Sequence, residues 1–191
     1  TGWRQWFGQT IEQFRAADFA ALRTVQQDED DTLGGRIMLT HPAGPLALRW
    51  AGSAQSSTHQ QIDTAFPEGL AGPRLQYRQR LLSAGLEADA PLAPGLRLTL
   101  GGAYDRAETP LTGDKPPIAP FSAGAVSAAL AIDLAPEMAL TMSGGRRTRF
   151  PSARELFGEA LGRFAINPDL APEQAWLADA EWRWEAPGWS V

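Results

Sequence analysis

The sequence predicts an all-β protein, an antiparallel transmembrane β-barrel fragment of about eight strands. Three observations support this fold class. Apolar residues recur with a period of two along several segments, which is the period of a β-strand with one apolar face. Glycine and proline, 19 and 15 in number, are spread along the 191 residues as turns rather than pooled in one linker. Short connections alternate with long ones, and this sorting of loop lengths is typical of transmembrane barrels.

The clearest strand covers residues 95–106. Leu96, Leu98 and Leu100 lie on one of its faces. Arg97, Thr99 and the following odd-numbered residues lie on the other. Alternation over about ten residues indicates a strand that is apolar on one side only. The same pattern predicts strands over 45–57, 121–134, 138–147 and 173–185, and less regularly over 3–14, 32–40 and 74–89.

The predicted connections fall into two classes. The short turns are 41–45, 89–95 and 134–137, and the long loops are 15–31, 58–73, 107–120 and 150–171. Because alternate connections of antiparallel strands lie at the same end, the short turns must share one side of the membrane. In a bacterial barrel we expect short periplasmic turns and long extracellular loops. The acidic run 26–31 then belongs to a solvated loop, since it lacks the glycine and final glutamate of an EF-hand.

Composition excludes several other classes of function. Lysine plus arginine number 17 and aspartate plus glutamate 22, a net charge of −5 without a basic block, so we expect no nucleic-acid partner. The absence of cysteine excludes disulfide scaffolds, thiolate zinc sites and cysteine catalysis. The only histidines are His41 and His59, too few for most histidine-based metal sites or catalytic triads. We therefore expect no metal site, no cofactor and no enzymatic activity. No apolar run is long enough for a transmembrane helix.

Residues 146–176 carry a composite motif. A strand ends in an aromatic residue and a proline, an acidic and hydrophobic stretch follows, and an Asn-Pro-x-Leu-x-Pro-Glu turn opens the next strand. The motif residues are Phe150, Pro151, Glu155, Leu156, Asn167, Pro168, Leu170, Pro172 and Glu173. This combination resembles the barrel of TonB-dependent outer-membrane receptors, although here the proline precedes the small residue Ser152.

The resemblance implies that residues 1–191 are part of a receptor barrel domain, with the plug domain and the remaining strands absent. A complete barrel of this family has about 22 strands. It also implies a Gram-negative outer-membrane location and energised import of a scarce nutrient such as a ferric siderophore, haem or cobalamin. The implied partners are outer-membrane lipid, TonB through a plug segment, and an imported small-molecule ligand such as a metal chelate.

The candidate ligand-binding or lumen-facing residues are charged side chains on the strand faces opposite the apolar ones, which would face the barrel interior. They are Arg97, Asp105, Arg147, Arg149, Asp179, Glu181 and Arg183. Arg147 and Arg149 attract an anionic ligand in one interpretation, and form wall ion pairs with Asp179, Glu181 or Asp133 in the other. The second is favoured because large barrels have polar inner walls for solvation alone.

Two other folds remain open at this point. A closed eight-stranded outer-membrane barrel, with a structural, adhesive or lipid-enzyme role, would require strands 3–14 and 173–185 to pair. A soluble β-sandwich binding module would require a second sheet over the face that carries Leu98. Outward aromatic residues near strand ends, such as Tyr104 and Trp182, favour the membrane because they match interfacial girdles.

Overall fold

The computed structural model describes residues 1–157, 167, 169–186 and 189–190. One antiparallel sheet contains nearly all of them. Its strands are β1 (Gly2–Phe14), β2 (Leu22–Ala43), β3 (Leu46–Ala65), β4 (Leu70–Ala71), β5 (Leu75–Ala93), β6 (Leu96–Thr112), β7 (Phe121–Ala135), β8 (Met138–Arg149), β9 (Glu173–Ala186) and β10 (Trp189–Ser190), and the helix α1 (Ala153–Phe157) follows β8. Eight of the described strands are long, which confirms the predicted fold class.

The strands form a meander. Each long strand pairs with the next long strand in the chain, and β4 pairs with β3 beside this path. Within the described ranges β1 does not pair with β9, so the sheet does not close on itself. The pairing that a closed eight-stranded barrel requires is therefore not formed. No second sheet of described residues covers Leu100, whose side chain is 52% exposed, as a sandwich would require.

Tight turns join the strands at one end of the sheet, which we call the turn end. The connections 44–45, 94–95 and 136–137 each contain two residues. Gly44 and Gly95 have φ angles of +64° and +73°, which a residue with a Cβ adopts only with strain. The opposite end, with the longer connections, is the loop end. The predicted sorting of connections by length is confirmed.

At the loop end the strands extend beyond the predicted limits. β2 begins at Leu22 rather than at residue 32, and β3 continues to Ala65. The prediction that residues 26–31 form a solvated loop is therefore wrong. The alternating signal stops where both faces become polar, but the backbone ladder needs no apolar face to continue. About 9–11 residues cross a bilayer, so the 22-residue β2 is much longer than a crossing requires.

The two faces of the sheet differ in character. Cross-strand partners share a face, so Leu98 lies with Ala90 and Leu130 on what we call the outer face. The opposite, inner face contains Arg97. Large exposed apolar side chains form a belt on the outer face of the turn-end half, including Ile37, Leu39, Trp50, Leu82, Leu86, Leu100, Tyr104, Val126, Leu134, Met142, Trp182 and Trp184.

Nearer the loop end the outer face becomes polar. Arg4 lies 2.9 Å from Asp31, and Arg106 lies 2.7 Å from Glu108, both as ion pairs. On β6 the belt therefore ends between Tyr104 and Arg106. No helix among the described residues is long and apolar enough to cross a membrane.

Candidate functional site

The segment that follows β8 folds back over the inner face at the loop end. We call residues 150–157 the strap. Its Leu156 and Phe157 are buried, with 0% and 2% exposure. The Phe157 ring stacks on Tyr77 of β5 at 5.9 Å, and the Gln79 side-chain amide donates a hydrogen bond of 2.8 Å to the Pro151 carbonyl. These contacts attach the strap to β5.

A capping box starts the short helix within the strap. The Ser152 hydroxyl accepts a hydrogen bond from the Glu155 amide (3.3 Å), and the Glu155 carboxylate accepts one from the Ser152 amide (2.8 Å). This reciprocal pair satisfies two amides that a helix start leaves without partners. The Ser-x-x-Glu spacing in the sequence is the local cause of the turn.

Arg149 connects the strap to both neighbouring strands. Its guanidinium lies 2.9 Å from a Glu155 oxygen and 3.0 Å from a Glu173 oxygen. The hydrogen bonds from Arg149, and then those from Ser152, lower the pKa of Glu155 from its usual 4.5 to about 2. Arg149, the last residue of β8, thereby holds both the strap and the first residue of β9.

The strap forms one wall of a cavity of about 620 Å³ on the inner face. The other wall consists of side chains from β2, β3, β5 and β6. Its polar lining includes Asp30, His59, Gln79, Asp105 and Arg149. The cavity is partly open to solvent and has more apolar than polar lining, and it presents carboxylate, imidazole, amide and guanidinium groups to one volume.

His59 is at the centre of the polar lining. Its Nδ1 lies 2.9 Å from an Asp30 oxygen, and its Nε2 lies 3.9 Å from an Asp28 oxygen. Asp28 is only 5% exposed, and the side-chain amide of Gln26 donates hydrogen bonds of 2.9 and 3.0 Å to its two oxygens. The His59 ring is also 6.0 Å from that of Tyr77. Acidic and aromatic groups therefore fix the orientation of this imidazole.

These residues are not among the predicted site residues, because the sequence predicted loops over 15–31 and 58–73, where β2 and β3 continue. With β2 extended, Asp30 pairs directly with His59 across the ladder. The available signal was spacing alone: Gln26, Asp28 and Asp30 continue the period of two that leads to Thr32.

The seven candidate residues predicted from charge and parity all lie on the inner face by register, in separate groups rather than in one site. Asp105 and Arg149 line the loop-end cavity. Arg97, Glu181 and Arg183 line a separate cavity of about 370 Å³ at the turn end.

Arg147 lies between these two ends, where it lines a third cavity, of about 400 Å³, together with Asp105. Asp179 lies on β9 opposite Ser143. Asp179 accepts a hydrogen bond of 2.5 Å from the Ser143 hydroxyl. Arg149 pairs with Glu155 and Glu173 instead of the carboxylates expected from the sequence. The expected partners lie further along the inner face, and the fold of the strap supplies a nearer carboxylate.

The residues of the composite motif contact the chain itself. Phe150 stacks on Phe121 at 6.3 Å, and Pro151 is buried. Leu170 packs against the cluster formed by Tyr77, Leu156 and Phe157. The remaining members have these positions: the Asn167 carbonyl accepts a hydrogen bond of 3.2 Å from the Leu170 amide, Pro172 is half-buried, Glu173 pairs with Arg149, and Pro168 lies outside the described residues. These contacts hold the strap and the start of β9 in place.

The groups that line the cavity can recognise a ligand through hydrogen bonds and charge. Among the residues that the structure describes, no three His, Asp or Glu side chains come together as a metal-ion site. The lining instead combines fixed polar groups with the Tyr77 ring, as binding pockets commonly do.

Known proteins share this architecture. The model of the family described as TonB dependent receptor-like, beta-barrel matches residues 2–191. The solved copper transporter OprC has a TM-score of 0.76 at 19% identity, covering 97% of this chain and 33% of that chain. The ferric citrate transporter FecA in its unliganded form has a TM-score of 0.60 at 10% identity, covering 96% and 29%.

A third solved structure is BauA, the ferric preacinetobactin receptor from Acinetobacter baumannii. Its TM-score is 0.52 at 13% identity, and the match covers 92% of this chain and 28% of that chain. The identities are low, so these three structures show a shared fold, and the chain spans a third or less of their lengths. No curated protein matches the chain in sequence. The family match covers all but the first residue, and on this basis the chain belongs to the TonB-dependent receptor-like β-barrel family.

Proposed function

We propose that this chain forms part of the barrel wall of a Gram-negative outer-membrane receptor that imports a small metal-bearing nutrient with energy from TonB. The observation that carries the proposal is the cavity on the inner face, where carboxylate, imidazole and guanidinium groups come together beside the strap at the loop end. The proposal includes a plug domain, which would contact TonB, and further barrel strands. The unpaired edge of β1 and the coverage of about a third of OprC support it.

The outer face supports contact with lipid. On β6 the belt runs from Leu96 to Tyr104, a stretch of nine residues. A tilted strand of a transmembrane barrel crosses the hydrocarbon core in about 9–11 residues. The turn end then lies at the periplasmic surface, and the long strand ends project on the extracellular side.

The substrate class is inferred from the relatives and from the cavity together. OprC, FecA and BauA are named for copper, ferric citrate and ferric preacinetobactin. Carboxylates, an imidazole and an arginine line the cavity here, and such groups recognise a metal ion or the polar surface of its chelate. The role is binding and transport, and no catalytic step is part of it.

The two histidines of the chain provide a matched experiment. His59 lies in the cavity, whereas His41 is exposed on the outer face near a turn. The assay measures uptake of radiolabelled copper and of radiolabelled ferric citrate by cells whose receptor contains this chain, with and without TonB. We expect TonB-dependent uptake of one probe, with apparent affinity about five- to thirtyfold weaker in His59→Ala.

His41→Ala is the control and should leave uptake unchanged. Equal uptake by cells lacking the receptor gene, or uptake that does not require TonB, would refute the transport proposal. Equal effects of the two substitutions at normal receptor abundance would instead show that the cavity does not bind the ligand.

A further inference from the structure

A basic patch lies on the outer face immediately beyond the apolar belt. Along β6 the outer-face residues change from Tyr104 to Arg106, and along β5 they change from Leu82 to Arg80 and then Arg78. We call Arg78, Arg80 and Arg106 the arginine patch. It begins at the point where the side chains that face lipid end.

The register brings these arginines together. Leu82 pairs with Arg106, and Arg80 pairs with Glu108, so Arg80 and Arg106 are diagonal neighbours about 7–8 Å apart. Arg78 lies two residues further along β5, about 7 Å from Arg80. Three arginines and one glutamate leave a local charge of +2 in a chain whose net charge is −5.

The partners of the patch leave donors available. Arg106 Nε donates to Glu108 at 2.7 Å, and Arg78 Nε donates to the Thr58 hydroxyl at 3.1 Å. Arg80 is exposed, and within the part of the chain that the structure describes its guanidinium has no hydrogen-bond or ion-pair partner. The patch therefore contains the unpaired guanidinium of Arg80 next to two arginines whose Nε atoms are held by hydrogen bonds.

We propose that the arginine patch binds a phosphate group of lipid A, the phosphorylated glycolipid of the outer leaflet. The inference rests on the proposed function for the presence of the membrane and for the loop end facing outwards. Guanidinium groups bind phosphate through paired N–H donors, and weak hydration makes arginine suited to this role. A lipid whose acyl chains lie against Leu82 and Tyr104 places its headgroup level with Arg80 and Arg106.

The patch is local, which favours a specific site over general attraction to an anionic surface. On β1 and β2 the outer face at the same end carries Glu29 and Asp31, with Arg4 already paired to Asp31. A phosphate would be repelled there and attracted on β5 and β6. The position directly above the belt favours a lipid over a soluble anion, because only a lipid satisfies both surfaces at once.

Native mass spectrometry of the purified receptor containing this chain tests the proposal. The probes are lipid A, the same lipid without its phosphates, and phosphatidylglycerol. We expect selective retention of lipid A, weakened about fivefold by Arg80→Gln and about thirtyfold by the double change with Arg106→Gln. Arg36→Gln is the matched control, since Arg36 is also exposed but lies on the inner face, and it should retain lipid A as wild type does.

Three results would overturn the inference: equal loss in the Arg80 and Arg36 variants, equal retention of the dephosphorylated lipid, or equal retention of phosphatidylglycerol. Unchanged heat-modifiability on gels would show that each variant is folded. A receptor that is found in the outer membrane and imports its nutrient but does not select lipid A would refute this inference alone. Absence from the outer membrane would refute the proposed function as well.

Discussion

Replacing Leu100 by arginine tests the assignment of the outer face most directly. We expect the substitution to destabilise the folded receptor by about 2–4 kcal/mol, because it places a charge at the middle of the lipid-facing belt. Leu100 is 52% exposed on that face. Its cross-strand neighbours are Ala88 and Ala128, neither of which offers a side-chain acceptor to a guanidinium.

The magnitude follows from the depth of position 100. It lies four residues from Leu96 and four from Tyr104, or about 13 Å along the strand from either edge of the belt. The cost of a lipid-facing arginine is largest at this depth and falls to about 0–1 kcal/mol near the interfaces. A loss of 2–4 kcal/mol lowers the folding equilibrium constant about 30- to 900-fold.

The assay is denaturant unfolding of the intact receptor after refolding into lipid vesicles. Thr99→Arg is the matched control, because Thr99 lies on the inner face opposite Asp89. Among the described residues the Asp89 Oδ1 atom has no hydrogen-bond partner, and it lies 3.7 Å from Arg97 Nε as an ion pair. An arginine at position 99 would therefore share this carboxylate with Arg97, on a polar face rather than in lipid. We expect a change within about 1 kcal/mol for this control. Similar costs for the two arginines would refute the assignment of faces.

Three further predictions concern the strap and the loops. Phe157→Ala removes a ring that is 2% exposed, a change that typically costs about 3–5 kcal/mol, and should speed proteolysis of the strap, whereas Phe19→Ala, at 69% exposure, should not. The lowered pKa of Glu155 means that its carboxylate stabilises the docked strap fully above pH 4.5 and loses this effect as the pH falls towards 2. After correction for the pH dependence of intrinsic amide exchange, the protection of the strap amides should fall across that window in wild type but not in Glu155→Gln. A cysteine at Asp114, in a loop, should react with an impermeant maleimide on intact cells, and one at Ala93, beside a turn, only after the outer membrane is opened; the reverse pattern would refute the proposed sidedness.

Much of the fold could be predicted because it depends on local geometry. A pleated strand places neighbouring side chains on opposite faces, so the alternation of Leu98 with Arg97 and Thr99 already assigns each to a face. Turn chemistry is equally local, and Gly44 and Gly95 occur where the two-residue connections need positive φ. The register then confirmed these face assignments strand by strand.

The loop-end halves of the strands could not be predicted in the same way. Residues 26–31 are polar at every position, so periodicity does not distinguish the two faces there. Their strand conformation comes from pairing with β1 and β3. A hydrogen-bonded ladder propagates along its neighbours whatever side chains it carries, and this is why β2 extends beyond the apolar signal.

By itself the sequence predicted antiparallel strands with an apolar outer face, a polar inner face and tight turns at one end, and it left a closed eight-stranded barrel and a β-sandwich open. Only the tertiary structure decided which polar groups meet. His59 contacts Asp30 across 29 residues, and Gln79 binds the Pro151 carbonyl across 72 residues of chain. The physical reason is that pleat and turn depend on adjacent residues. The strap and the cavity depend instead on strand register and on a loop folding back, and the local pattern records neither.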